Sequence, residues 1–237
     1  MGRKSALIYN KEGLIDMKDK VIESIKRERL IIIVRGMSRD ELLPLSDALY
    51  DGGVRLMEIT YTAGSEGLDT EVAETIRLLS ERMEGKMYVG AGTVTRVSQV
   101  ELTAKAGGKF IISPDANPDI IRYSRELGLV SIPGVMTPTE INSAYEAGAD
   151  FVKLFPVTSL GAEYVKAIRA PLTHIPMLAV GGVNLDNMAD YAKAGVSGFG
   201  VGASFCPKEL LAARDYPRIS EFVNGYIREI QKCFDGK

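Results

Sequence analysis

Short apolar segments alternate with amphipathic helical segments along nearly the whole chain, and this alternation constrains the fold most strongly. The apolar segments predict eight strands, at residues 30–35, 54–60, 86–89, 109–113, 129–132, 150–156, 176–180 and 198–202. The intervening periodicity predicts helices at about 11–29, 39–51, 69–83, 96–106, 118–127, 138–147, 161–170, 184–194 and a last one around 219–230. Such strict alternation indicates a parallel sheet covered by helices.

Glycines mark the ends of several predicted helices and lead directly into the next strand, as in Asp51-Gly52-Gly53 and Ala147-Gly148. The segment Thr137-Pro138-Thr139-Glu140 is a capping box with proline at the first helical position, so a helix should begin there. Eight units within about 200 residues favour a single-domain (β/α)8 TIM barrel with an extra N-terminal helix. An open doubly wound sheet is the alternative fold.

The chain shows no linker or shift in composition, so we expect one barrel domain over residues 11–237. Residues 1–10 are expected to form a flexible N-terminal tail. Their apolar part is too short for the core of a signal peptide. Elsewhere in the sequence, no apolar run approaches the length of about 18 residues that is needed to span a bilayer. The net charge of -2, with acids and bases intermixed, gives no electrostatic case for binding nucleic acid or membrane. A cytoplasmic location is therefore expected.

The rarity of cysteine and histidine limits the possible chemistry. The chain has only two cysteines, Cys206 and Cys233, so neither a disulfide framework nor a four-ligand zinc site is expected, and we predict no metal. The only histidine, His174, lies in a segment that reads as a loop. A catalytic triad that requires histidine is therefore not expected, and Cys206 is interpreted as a bystander thiol.

The predicted strand 150–156 contains one amine, Lys153, among apolar residues. Burial disfavours the charged form of an amine and lowers its pKa, and a neutral lysine is a nucleophile toward carbonyls. Alternatively, Lys153 lies at a strand end and extends its ammonium group into solvent.

Two further charged residues stand late in apolar strands, Arg35 on the first and Glu58 on the second. In (β/α)8 barrels the chemistry lies at the carboxyl ends of the strands, where these two groups and Lys153 would converge. A cation, a carboxylate and an amine can hold an acidic substrate, move a proton and attack a carbonyl. The alternative is an internal ion-pair network, but burying three charges costs several kcal/mol per ion before pairing offsets it.

Glycine-rich loops follow the third, seventh and eighth predicted strands. Gly181-Gly182 and Gly200-Val201-Gly202, with Ser204, lie where many barrels bind phosphate through backbone N–H groups. The same glycines could instead serve only to permit tight turns. Gly90-Ala91-Gly92-Thr93 lacks the rest of a dinucleotide fingerprint, so no nicotinamide cofactor is expected and we predict no cofactor at all.

An ordered set of short motifs over residues 30–205 resembles the class I aldolase family of 2-keto-3-deoxy-6-phosphogluconate (KDPG) and 4-hydroxy-2-oxoglutarate (KHG) aldolases. The motifs are Ile33-Val34-Arg35, Gly52-Gly53-Val54, Glu58-Ile59-Thr60, Gly90-Ala91-Gly92-Thr93-Val94, Ile112-Ser113-Pro114, Pro133-Gly134-Val135-Met136-Thr137-Pro138-Thr139-Glu140, Lys153-Leu154-Phe155-Pro156 and Gly181-Gly182-Val183-Asn184. The resemblance implies a (β/α)8 barrel, a homotrimer, and an aldehyde-lyase that forms pyruvate without a metal.

The resemblance also implies residue roles. Lys153 matches the Schiff-base lysine and Glu58 the carboxylate that moves protons, while Arg35 and Thr93 match groups around the keto-acid carboxylate. Pro114 and Phe155 match positions in the wall of the pocket. The implied products are pyruvate and an aldehyde, either glyceraldehyde 3-phosphate or glyoxylate.

Three positions depart from the phosphogluconate pattern. Thr62 stands where some members carry an arginine that binds the substrate carboxylate. Val180 replaces a threonine before Gly181-Gly182, which resembles the 2-dehydro-3-deoxy-6-phosphogalactonate branch, whose substrate is the C4 epimer. Ala203, next to Gly202, stands at the serine position of the phosphate loop, with Ser204 one place later. The aldehyde partner therefore stays open at this stage.

Two other functions remain compatible with the sequence. A phosphosugar epimerase or isomerase on the same barrel would keep Glu58 and the glycine loops but would not need an imine at Lys153. A non-catalytic binding barrel would be compatible with Val180 and Ala203, although the presence of both Glu58 and Lys153 argues against it.

Overall fold

The computed structural model describes residues 11–234, in which nine parallel strands alternate with helices. The strands are β1 (Leu30–Val34), β2 (Leu56–Thr60), β3 (Tyr88–Gly92), β4 (Phe110–Ile112), β5 (Val130–Ile132), β6 (Gly134–Val135), β7 (Val152–Leu154), β8 (Met177–Val180) and β9 (Gly198–Val201). The helices are α1 (Lys11–Glu28), α2 (Arg39–Asp51), α3 (Asp69–Arg82), α4 (Val97–Lys105), α5 (Pro118–Glu126), α6 (Pro138–Glu146), α7 (Gly161–Arg169), α8 (Met188–Lys193), α9 (Lys208–Ala212) and α10 (Tyr216–Phe234). The predicted N-terminal tail, 1–10, lies outside the described residues.

The sheet closes on itself through its fifth strand. Its order is β5-β4-β3-β2-β1-β9-β8-β7-β6, and β5 and β6 are consecutive segments of one strand interrupted at Pro133. The carbonyl of Ser131 accepts a hydrogen bond from the amide of Asp150 at 3.0 Å, and that of Pro133 accepts from the amide of Lys153 at 2.8 Å. These bonds join the two edges, so the fold is a single-domain α/β barrel and the open doubly wound alternative is wrong.

Alternate residues of the strands fill the inside of the barrel, as the period of two in a strand requires. This inner cluster contains Ile31, Leu56, Phe110, Ile112, Val130, Ile132, Phe151, Leu178 and Val180. Helix α1 adds Val21 and Ile25 to the same cluster and closes the amino end of the barrel. An ion pair of 2.9 Å between Lys18 and Asp150 joins α1 to the segment just before β7.

The predicted helix boundaries agree with the structure within a few residues, and the predicted glycine stops adopt left-handed backbone conformations, such as Gly53 with φ of 97° and Gly148 with φ of 105°. Both halves of the capping box between Thr137 and Glu140 are present. The predicted alternation is therefore confirmed in its order and in its number of strand–helix units.

Two local predictions are wrong. The fifth strand was predicted at 129–132 only, but it resumes beyond Pro133 as β6. Proline has no N–H group to donate, which interrupts the strand, while its carbonyl still accepts a hydrogen bond from the Lys153 amide and keeps the pairing with β7. The eighth helix was predicted to begin at about Asn184, but α8 begins four residues later, at Met188. The Asn184 side chain instead accepts hydrogen bonds from the amides of Asp186 and Asn187.

Helix α9 was not predicted, because it is a single short segment between Pro207 and the long α10. In the part of the chain that the structure describes, no helix combines the length and apolar character needed to cross a membrane.

Candidate active site

Lys153 lies in the middle of β7, two residues after Phe151, so both side chains point into the barrel. Its side chain is 7% exposed, and its Nζ atom lies 4.5 Å from the centroid of the Phe155 ring. Burial lowers the pKa of this amine; the charge of Glu58 opposes the shift and that of Arg35 adds to it. The amine is therefore closer to its neutral, nucleophilic form than a solvated lysine is.

Glu58 occupies the equivalent place on β2, two residues after the inward-facing Leu56. It is 1% exposed, and its Oε2 atom has no hydrogen-bond partner in the described structure. Desolvation raises the pKa of this carboxyl to about 7, against the opposing effects of Lys153 and Arg35. A Cβ atom at Gly92, at the end of β3, would overlap Glu58 Oε1, so glycine is needed there to seat the carboxylate.

Arg35 follows β1 and is exposed at the carboxyl end of the barrel. Its Nη2 donates to Thr93 Oγ1 at 3.0 Å. Thr93 has a φ of 55°, which is rare for a β-branched residue and typically costs about 1–3 kcal/mol. The strained turn after β3 therefore holds a hydroxyl against a guanidinium that points to the same end of the barrel as Glu58 and Lys153.

The loops after β8 and β9 present a group of unpaired backbone donors. Gly181 and Gly182 adopt φ values of 94° and 83°, and their carbonyls accept hydrogen bonds from Thr158 and Asn187. Within the described chain, five amides of these loops donate no hydrogen bond: those of Gly181, Gly182, Gly202, Ala203 and Ser204. Successive free N–H groups of this kind form a concave site for an anion.

The other predicted site residues differ in their exposure and in the groups that they contact. Phe155 is 38% exposed beside the Lys153 amine, and Val180 is buried next to Gly200 on the neighbouring strand. Pro114 is exposed after β4, and its carbonyl packs against Gly134. Ser204 donates its hydroxyl to the carbonyl of Val183 at 2.6 Å, so it would have to release that bond in order to donate to a ligand.

Thr62 is exposed in the loop after β2. It lines a cavity of about 230 Å³ between the loops that follow β1 and β2, and neither Lys153 nor Glu58 lines that cavity. Of the predicted residues, the structure thus brings Arg35, Glu58, Thr93 and Lys153 to one end of the barrel and leaves Thr62 at its margin.

Sequence reasoning missed a buried polar network that supports the loop after β3. Gln99 is fully buried; its Oε1 accepts from the amides of Thr95 and Arg96, and its Nε2 donates to Asp69 at 3.0 Å. Arg96 also pairs with Asp69 at 2.6 Å. The sequence did contain a signal for this network. Gln99 stands three residues after Arg96, the residue that precedes α4, and a glutamine at that place commonly caps a helix.

The remaining reactive side chains add nothing to this centre. Burial raises the pKa of the Cys206 thiol to about 11, which favours its protonated, less nucleophilic form. His174 is exposed and packs edge-on against Tyr145. Among the described residues, no three His, Cys, Asp or Glu side chains are grouped so as to hold a metal ion.

A parallel α/β barrel that buries an amine and a carboxyl group at the carboxyl end of its strands defines a site suited to carbonyl chemistry. Comparisons with known proteins agree with this chemistry and identify a specific family of enzymes. The model of the KDPG and KHG aldolases matches residues 21–222. The chain therefore belongs to the KDPG and KHG aldolase family, whose members are carbon–carbon lyases of the class I type.

Individual relatives cover a similar share of the chain. The 2-dehydro-3-deoxy-6-phosphogalactonate aldolase of Escherichia coli (strain K12) is 32% identical over 203 residues, covering 85% of this chain and 96% of that protein. The 2-dehydro-3-deoxy-phosphogluconate aldolase of Treponema pallidum (strain Nichols) is 32% identical over 202 residues, covering 84% of this chain and 92% of that protein. A solved structure of native KDPGal superposes with a TM-score of 0.77 at 30% identity, covering 87% of this chain and 96% of the other.

Proposed function

We propose that the protein reversibly cleaves a phosphorylated 2-keto-3-deoxy sugar acid to pyruvate and glyceraldehyde 3-phosphate through a Schiff base on Lys153. The observation that carries this proposal is the buried Lys153 amine, whose pKa is lowered, inside a barrel that also buries Glu58 with a free carboxylate oxygen. An epimerase would use Glu58 and the glycine loops, but it would give the buried amine no role.

Lys153 begins the reaction as a nucleophile. Its neutral nitrogen attacks the C2 carbonyl carbon of the keto acid, and the resulting carbinolamine loses water to give an iminium ion. The iminium is an electron sink at the position next to C3. The lowered pKa of Lys153 raises the fraction of amine that can react near neutral pH.

Glu58 then acts as the base. Its carboxylate accepts the proton of the C4 hydroxyl, directly or through a water molecule, as the C3–C4 bond breaks and its electron pair forms an enamine. The aldehyde leaves, the enamine is protonated at C3, and hydrolysis of the new iminium releases pyruvate and the free amine. A carboxyl with a pKa of about 7 can both take and return a proton near neutral pH.

Arg35 and Thr93 are proposed to hold the keto-acid carboxylate. The two side chains are already hydrogen-bonded to each other at 3.0 Å, and Arg35 has further N–H groups that can bind a carboxylate. This arrangement supplies the positive charge that Thr62 does not, while Phe155 and Pro114 would form apolar walls of the pocket.

The free amides of the β8 and β9 loops are proposed to bind the substrate phosphate. Backbone donors suffice for such a site, so Ala203 in place of a serine does not abolish it. This feature favours a phosphorylated substrate over 4-hydroxy-2-oxoglutarate, which would yield glyoxylate by the same chemistry.

The phosphate preference is tested by measuring pyruvate release from phosphorylated and unphosphorylated 2-keto-3-deoxy sugar acids and from 4-hydroxy-2-oxoglutarate. We expect the phosphorylated substrates to give the highest kcat/KM, mainly through a lower KM. Equal kcat/KM with and without phosphate would remove the phosphate site, and no pyruvate from any substrate would contradict the aldolase activity.

The C4 configuration of the substrate is proposed to be that of the galactonate series, as in the Escherichia coli relative. Val180 is buried at the end of β8 with no group to hydrogen-bond a C4 substituent. The Val180→Thr variant should shift the ratio of kcat/KM toward the gluconate-derived epimer by about 10-fold, the value of one added hydrogen bond. An unaltered ratio of the two epimers would show that Val180 does not select the substrate.

We further propose that the protein works as a homotrimer in the cytoplasm and needs neither metal nor cofactor, as the family resemblance implies. Light scattering on the purified protein should give a mass of three chains. A monomer at assay concentration with full activity would contradict the assembly.

A further inference from the structure

A cavity of about 640 Å³ lies at the amino end of the barrel, opposite the end that carries Lys153. Its walls come from α1, from the end of α2, from α3 and from the residues that precede β2, β3 and β4. We call it the basal cavity. Its volume falls within the about 300–1,000 Å³ of small-molecule pockets, and none of the residues assigned to the candidate active site lines it.

The lining of the basal cavity is strongly basic. Two of its lining residues are acidic, Glu81 and Glu84, and six are basic: Arg27, Arg55, Arg77, Lys86, Lys105 and Lys109. The whole chain, in contrast, has a net charge of -2. A concave surface with an excess of positive charge focuses the field and concentrates anions.

Some of the basic lining residues form ion pairs with glutamates of the protein, and others do not. Arg77 forms ion pairs with Glu74 and Glu81, and Lys105 pairs with Glu101. In contrast, no carboxylate of the described residues lies within 4.0 Å of the side-chain nitrogens of a second set of lining residues: Arg55, Lys86 and Lys109.

Arg55 is held in a fixed position that leaves two donors free. Its Nη1 donates to the carbonyls of Tyr50 at 3.0 Å and Val54 at 2.8 Å, and its guanidinium carbon lies 4.4 Å from the centroid of the Tyr50 ring. Nε and Nη2 have no acceptor in the described chain. A guanidinium already immobilised in this way loses little side-chain entropy when it binds an anion.

Lys86 approaches the same aromatic ring, with its Nζ atom 5.8 Å from the Tyr50 centroid. Two cations thus gather at one tyrosine without an acid between them. Their mutual repulsion is a cost in the free protein that a bound anion would offset.

Two other features support a ligand over a purely structural role. Lysines often stabilise the carboxyl ends of helices, which explains Lys105 in the last turn of α4, but Lys86 and Lys109 follow the helices at the starts of β3 and β4. In addition, the hydroxyl oxygen of Ser80, another lining residue, is buried and has no hydrogen-bond partner.

We propose that the basal cavity binds a small multivalent anion, an organic molecule with two or more phosphate or carboxylate groups, through Arg55, Lys86 and Lys109. Ser80 would donate an additional hydrogen bond. The site is separate from the substrate site, so its ligand would be a regulatory or stabilising effector rather than a second substrate. The proposal does not depend on the aldolase mechanism.

The test uses pyrophosphate and citrate as probes for the two anion chemistries, in isothermal titration calorimetry at low and constant ionic strength. We expect one probe to bind the wild-type chain and the double variant Lys86→Gln/Lys109→Gln to bind it at least about 10-fold more weakly, since two charge-assisted contacts are lost. The tighter probe identifies phosphate or carboxylate as the preferred group.

Two controls separate the basal cavity from other anion sites. Lys166→Gln removes the same charge from an exposed position on α7 and should leave the affinity unchanged. Lys153→Ala should also retain binding, because that amine lies at the opposite end of the barrel. Absence of binding by both probes to the wild-type chain, or equal binding by the double variant, would overturn the proposal.

Discussion

Burial acts in opposite directions on the two ionisable groups of the candidate active site. It lowers the pKa of Lys153 and raises that of Glu58 to about 7, because desolvation disfavours the charged form of either group. Both groups are therefore displaced toward neutral pH, where an amine can attack and a carboxyl can exchange its proton.

The first prediction concerns the role of Glu58 in bond cleavage. Glu58→Gln keeps the shape of the side chain but removes the base, so kcat for cleavage should fall by roughly 10²–10⁴-fold, the usual effect of losing a general base. Formation of the imine with pyruvate should persist in this variant. Single-turnover kinetics can separate the two steps, and an unchanged kcat would exclude Glu58 from the mechanism.

The second prediction concerns stability. Between its ordinary value of 4.5 and its folded value of about 7, Glu58 holds a proton in the folded protein that it has lost in the unfolded chain. The contribution of Glu58 to folding is therefore complete below pH 4.5 and is lost as the pH rises through 7.

Denaturant unfolding of the wild type and of Glu58→Gln at pH 5.5 and pH 8 measures this contribution. On raising the pH, the wild type should lose on the order of 2 kcal/mol more stability than the variant does. Parallel losses in the two proteins would contradict the burial of an ionisable Glu58.

At the scale of elements, the loop after β3 depends on the buried network of Asp69, Arg96 and Gln99. Through Gln99 Oε1 the network fixes the backbone just beyond Thr93, the strained residue that contacts Arg35. We infer that the network positions Thr93, and through it Arg35, without contacting the substrate.

The third prediction is that Gln99→Leu raises KM for the keto acid by about 10-fold while kcat changes less, because the carboxylate contacts lose their geometry. Stability should fall by about 1–3 kcal/mol, since the Asp69 carboxylate and two amides lose a partner. Gln231→Leu, at an exposed position on α10, is the matched control. Stability lost with an unchanged KM would assign the network a purely structural role.

Elements with a strong local signal could be predicted from the sequence, and those set by long-range contacts could not. The capping box of α6 and the glycine stops depend on a few adjacent residues, and they appear as predicted. The continuation of the fifth strand past Pro133 depends on hydrogen bonds from β7, which no local pattern reveals.

At the scale of the whole molecule, closure of the barrel explains why residues far apart in the chain meet. Arg35, Glu58 and Lys153 could be nominated from the sequence, because charges late in apolar strands are rare and the carboxyl ends of parallel strands converge. The glycine loops after β8 and β9 could also be nominated as a phosphate site, but which of their amides are free could not, since an N–H group is known to be unpaired only when all its neighbours are placed. The basal cavity likewise arises only when α1 closes the amino end.

The two ends of the barrel therefore differ in the chemical groups that they present. The carboxyl end gathers the amine, the carboxyl group and the free amides, while the amino end gathers unpaired cations beneath α1. Substitutions in the basal cavity should therefore leave the chemical step intact.

The most direct test of the account is reductive trapping of the proposed imine. The protein is incubated with excess pyruvate and borohydride, its mass is measured intact, and the modified peptide is mapped. We predict one stable pyruvate adduct on Lys153, absent from Lys153→Ala. Folded protein without an adduct, or an adduct confined to another lysine, would contradict the Schiff-base mechanism proposed for this barrel.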